Sequence, residues 1–98
     1  MATNTTLTRT GSGRDGNWVL RVDDGTIMLR VETREGRAVS ELSPLGARVM
    51  RDELKDPRRY HHHGTFELLV ETPGGKAVDY LTFAQGAALA DALGEALA

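Results

Sequence analysis

Three consecutive histidines, His61, His62 and His63, are the side chains of this chain best suited to holding a metal. On a strand His61 and His63 would share one face while His62 points to the other, and two imidazoles at i and i+2 can chelate one zinc or copper ion once a third ligand arrives. Asp23 and Asp24 are the candidate third ligands. The competing reading is that histidines in a loop after a proline, here Pro57, are solvated. The chain has no cysteine, which excludes thiolate nucleophiles, disulfides and Cys-ligated zinc.

The residues leading into the histidines are basic. Arg48, Arg51, Lys55, Arg58 and Arg59 are five of the 12 Lys and Arg residues, and Tyr60 adds an aromatic ring. Such cations contact phosphates and a tyrosine can stack on an unpaired base, so segment 48–63 is a candidate nucleic-acid surface. Asp52, Glu53 and Asp56 lower its charge, and Asp52 stands at helical spacing from both Arg48 and Lys55, the pattern of a solvated helix face. A strand-rich unit followed by a helix resembles, in outline, the PUR and Whirly single-strand binders. None of their motifs occurs here, so the likeness assigns no residue a role.

Catalytic groups lack their partners. Asp23 and Asp24 are adjacent and diverge on a turn, Ser12 and Ser40 have no base near them in sequence, and Gly11-Ser12-Gly13 lacks the strand-to-helix setting of a phosphate cradle. The expectation is a protein that is not an enzyme and carries no cofactor.

The elements that must position these residues are organised by an internal repeat. Gly25–Leu42 laid over Gly64–Leu81 at an offset of 39 gives ten identities in 18 positions without a gap. Each copy reads as strand, tight turn, strand, helix. Ile27, Leu29, Val31 and Thr33 alternate with Met28, Arg30 and Glu32, as Phe66, Leu68, Val70 and Thr72 do with Glu67, Leu69 and Glu71. Arg34-Glu35-Gly36 and Pro73-Gly74-Gly75 are read as hairpin turns whose glycines supply positive φ. Glu32 and Glu71 recur on the outward face, where they keep the strands soluble.

Ser43-Pro44 and the capping box Thr82 to Gln85 mark two helix starts, predicting helices over 44–55 and 83–98. Leu45, Val49, Met50 and Leu54 form the expected apolar side of the first. Leu89, Leu93 and Leu97 form a stripe on the second, with Asp91 and Glu95 opposite and Ala or Gly on both flanks. Such flanks let another helix approach closely, so Leu89, Ala90, Leu93 and Leu97 are the candidate interface, toward either the first helix or a second subunit. An additional strand, Trp18 to Val22, precedes copy one through an Asp24-Gly25 hairpin; its counterpart in copy two is the divergent Pro57 to His63.

The fold expected is α+β: an antiparallel sheet of four to six strands with two helices on one face, built from two tandem ββα repeats. Residues 1–15 are expected to be a flexible arm or an edge strand near Thr5 to Thr10, and residues 16–98 one domain, with repeat one at 16–55 and repeat two at 56–98. The 98 residues leave room for a single core. A mean hydropathy of -0.34 and the lack of an apolar run near the ~18 residues of a bilayer span predict a cytoplasmic protein with no membrane role. Net charge is -2, yet residues 64–98 hold only Lys76 against Glu67, Glu71, Asp79, Asp91 and Glu95. That polarity favours a second copy or a partner of mixed charge. The expected function is a small binding or regulatory module acting through protein-protein interaction, as a homodimer and through a sheet edge or the last helix, with nucleic-acid binding through 48–63 as the alternative.

Overall fold

The computed structural model describes residues 6–98. Met1 to Thr5, with the start of the expected edge strand, lie outside the described residues. β1 (Thr6–Ser12), β2 (Gly16–Asp23), β3 (Thr26–Thr33) and β4 (Gly36–Leu42) form an antiparallel sheet in that order, and β5 (Phe66–Thr72) with β6 (Gly75–Leu81) forms a second, two-stranded one. Helix α1 (Pro44–Leu54) follows β4 and α2 (Phe83–Leu97) follows β6, with a 3-10 turn, Pro57–Arg59, between the halves. The architecture is α+β, and no helix is long and apolar enough to cross a membrane among the described residues.

Alternation decides which faces are dry. Trp18, Leu20, Leu29 and Val31 on the first sheet and Leu68, Val70 and Leu81 on the second turn inward onto one core shared with both helices. The helices pack on each other, α2 also lying against β1, β2 and β6, and α1 against β4. Trp18 spreads its ring across Gly11 of the edge strand. Its indole N–H is buried with no hydrogen-bond partner among the described residues.

The segments β3–β4–α1 and β5–β6–α2 share one element order at an offset of 39. The β3–β4 ladder pairs Ile27 with Leu42 through to Thr33 with Gly36, and the β5–β6 ladder pairs Phe66 with Leu81 through to Thr72 with Gly75. Each is entered through two left-handed residues, Asp24 (φ 53°) and Gly25 (φ 81°) in one, His63 (φ 54°) and Gly64 (φ 79°) in the other. Ser43 accepts from the Gly46 N–H and Thr82 from the Gln85 N–H at the helix starts.

Gly36 and Gly75 have a different purpose from the one expected. Neither has positive φ. A Cβ on Gly36 would sit 2.6 Å from the Lys76 carbonyl oxygen, and one on Gly75 would sit 2.8 Å from that of Arg37. The glycines are needed because the tip of each hairpin lies against the first residues of the other's second strand. There the two sheets meet. They are not continuous: the larger antiparallel sheet has four strands, the lower bound of the four to six expected, and β5–β6 stands as a separate second sheet.

The join is closed by a buried acid. Asp79, 1% exposed on the inner face of β6, accepts the N–H of Asp15 at 2.8 Å and that of Tyr80 at 2.8 Å, and the Arg14 N–H donates to the Tyr80 carbonyl at 2.9 Å. The β1–β2 turn is thereby fastened to β6. On the other side Arg9 reaches Glu95 of α2 at 2.7 Å.

Helix phase differs from expectation. Leu45 is 68% and Val49 49% exposed, while Ala47 and Leu54 are buried with Met50 between them. α1 turns its small-residue side to α2 so that the axes come close, and Gly94 lies 4.0 Å (from the position of a Cβ) from the Arg51 stem. α1 of the same chain packs on α2, where Gly86, Ala90 and Ala92 are buried along with Leu89 and Leu93 while Ala84 and Ala88 stay exposed.

Candidate functional site

β5 has one paired edge. The Tyr80 carbonyl accepts from Arg14 and the Tyr80 N–H is taken by Asp79, so neither is spent on Glu67, the residue opposite Tyr80 across the hairpin. In an antiparallel ladder alternate residues address opposite neighbours. The N–H and C=O groups of Glu67, Leu69 and Glu71 therefore point away from β6, and they bond to no other backbone group among the described residues. In the first half the equivalent residues of β3, Met28, Arg30 and Glu32, face β2 and pair with Arg21, Val19 and Asn17. Beside β5 that strand position is open.

The segment that would fill it is Pro57 to His63, and its residues explain why it does not. It starts as a hairpin should, with His62 and Thr65 exchanging backbone bonds at 3.3 and 3.0 Å around the left-handed His63-Gly64 pair. Tyr60 then turns into the core. Its ring packs 5.6 Å from Phe66 and 5.1 Å from Phe83, its hydroxyl donates to the Leu54 carbonyl at 2.5 Å, and a Cβ on Gly86 would overlap that hydroxyl. Burial pushes the Tyr60 phenol above its ordinary pKa. Proline at 57 lacks a ladder donor, and the Asp56 carboxylate caps the 3-10 turn through the Arg58 N–H at 3.0 Å.

These facts place the residues singled out in the sequence. Tyr60 is buried and offers no face to a base, which removes it from the nucleic-acid set. Arg58 is held by Asp56 through bonds of 3.0 and 2.9 Å. The Arg58 side-chain bond first, and its backbone bond second, hold the Asp56 carboxyl below its ordinary pKa, while Asp56 raises that of Arg58. Arg51 is half-buried beside Asp52, leaving Arg48, Lys55 and Arg59 as exposed cations. His61 and His63 do not share a strand face, because His63 is in a left-handed turn. Among the described residues no three His, Asp or Glu side chains converge on a metal position, so Asp23 and Asp24 do not complete one. Leu89, Ala90 and Leu93 are fully buried inside the chain and present nothing to a partner, which corrects their reading as an intersubunit surface; Leu97 is half-buried.

A cleft of about 740 Å³ lies between the tip of β3–β4, the β1–β2 turn and β6, lined by Arg14, Asp15, Arg34, Glu35, Lys76 and Tyr80 among others. Arg14 lies 4.3 Å from the Tyr80 ring centre and pairs with Asp15 at 3.3 Å, and His62 stacks on Tyr80 at 4.8 Å. The cleft is polar and its charges nearly balance.

Sequence reasoning passed over the β5 edge and Asp79. The signals were Leu69, an aliphatic residue at an outward position between two glutamates, and Asp79, an acid at an inward one. Compared with protein-family models, curated proteins and solved structures, the chain matches none of them.

Proposed function

We propose that the protein is a non-enzymatic binding module that takes an extended segment of a partner protein as an added strand along the free edge of β5. The observation that carries this reading is the outward-facing backbone of Glu67, Leu69 and Glu71, with Leu69 46% exposed between them. Main-chain hydrogen bonds supply affinity in such docking and alternate side chains supply selectivity. β1 offers a poorer rim: its outward backbone belongs to Thr6, Thr8, Thr10 and Ser12, with no apolar anchor.

The reading is supported by a second inference, that residues 16–55 and 56–98 descend from one duplicated strand–strand–helix unit. Common register, left-handed entry turns and helix caps at one offset favour it. The first copy keeps a strand beside its hairpin. The second uses the equivalent residues to seat Tyr60, and a partner supplies the strand.

Amide hydrogen exchange tests this. In the free protein the amides of Glu67, Leu69 and Glu71 exchange rapidly, whereas those of Leu68 and Val70 are protected. Binders selected from a library of extended peptides should slow exchange at those three amides. Binders that leave all three fast would overturn the proposal.

A further inference from the structure

The free edge of β5 carries a charge code. Glu67 and Glu71 are exposed on the same outward face as Leu69, and neither forms an ion pair among the described residues. Across the hairpin their row continues as Tyr80, Val78 and Lys76. The outermost line is thus acid, aliphatic, acid, within a stretch, residues 64–98, that has one cation against five acids.

This pattern selects against a second copy. Two β5 edges paired antiparallel about Leu69 would bring Leu69 opposite Leu69 but set each Glu67 opposite the other chain's Glu71. Like charges directly opposite in a sheet repel, and glutamates at a rim are a recognised guard against self-pairing. The β4 rim of another copy fits little better: Arg37 and Val39 would meet Glu71 and Leu69, but Glu41 would meet Glu67, and the Arg37 carbonyl is already covered by Gly75.

Resting on the reading of β5 as a strand-docking edge, we infer that its partner is a segment of another protein with Lys or Arg, an aliphatic residue, and Lys or Arg at alternate positions. The aliphatic side chain covers Leu69 and Val78. The cations meet Glu67 and Glu71. The first half of the chain shows the aliphatic part of this arrangement, since β2 sets Val19 in the central position of its pairing with β3, with Arg21 two residues away.

Three labelled peptides test the code on the full chain: Thr-Arg-Thr-Val-Thr-Arg-Thr, the same with Glu in place of Arg, and the same with Ser. Binding is read from amide shifts at residues 66–72 and from exchange at Glu67, Leu69 and Glu71. The basic peptide should bind about tenfold tighter than the acidic one at low salt, the gap shrinking as salt rises. The double variant E67K/E71K, altered only at exposed positions, should reverse the order. Equal response to all three peptides, including none, overturns the code while rapid exchange at the three amides keeps the docking edge in place. Protected amides in the free protein overturn the docking edge itself.

Discussion

Replacing Asp79 by alanine tests how the two sheets are held together. The carboxylate is 1% exposed and accepts two backbone N–H groups, from Asp15 at 2.8 Å and Tyr80 at 2.8 Å. A hydrogen bond to a charged group contributes about 1.5–3 kcal/mol, and burying the charge offsets part of that for the pair. D79A should therefore lose about 2–4 kcal/mol, a large share of the ~5–15 kcal/mol that holds a domain of this size. The corresponding fall in Tm is roughly 10–25 °C. D79N keeps an acceptor oxygen and should lose about half as much. Urea unfolding followed by the emission of Trp18, the one tryptophan, measures this as a shift in midpoint at unchanged slope. The Asp15 amide should also exchange faster in D79A. A D79A midpoint within about 0.5 kcal/mol of the parent would refute the assignment of Asp79 as the clasp between the sheets.

G36A and G75A should each cost about 1–3 kcal/mol, because the added methyl meets a backbone carbonyl that cannot rotate away, and the two losses should be similar since the contacts are reciprocal; thermal melts of both decide it, and a neutral G36A would contradict the close approach. Y60F should lose about 1 kcal/mol with the bond to the Leu54 carbonyl. Because the Tyr60 phenol has a raised pKa in the folded state, the stability it contributes is complete below the ordinary tyrosine value and is lost as pH rises through the raised one. Ultraviolet titration should show a late tyrosinate step that Y60F removes; persistence of that step in Y60F would count against the burial argument.

Local rules were legible in the sequence wherever they depend on neighbours along the chain. Alternation located β3 and β5, the turns after them located β4 and β6, Asp24-Gly25 located a further hairpin turn, and Ser43 and Thr82 located both helix starts, because each signal is completed within a few residues. What depends on tertiary approach was hidden. Leu45 and Val49 are the larger apolar residues of α1, yet Ala47 is what faces inward, since close helix packing rewards a small side chain over a large one. Gly36 looked like a turn residue and proves to be a contact residue, a distinction set by Lys76, forty positions away. Tyr60 looked like an exposed ring in a basic run. Its destination was fixed by Gly86, whose missing side chain leaves the space, and no pattern around residue 60 reports that. The likeness of 25–42 to 64–81 was plain in the sequence, but that Pro57 to His63 would form no strand followed only from the inward turn of Tyr60.

Because Pro57 to His63 forgoes a strand in one half only, the rims of the two sheets are unlike: β5 carries Leu69 between two acids, β4 carries Val39 between Arg37 and Glu41, and β1 carries hydroxyls. A guest strand taken at β5 adds a third to that hairpin without creating a second docking position of the same kind on this chain. A guest whose cations match the acids of β5 would meet Arg37 on β4 and only hydroxyls on β1, so on the proposed reading occupancy would stop at one-to-one.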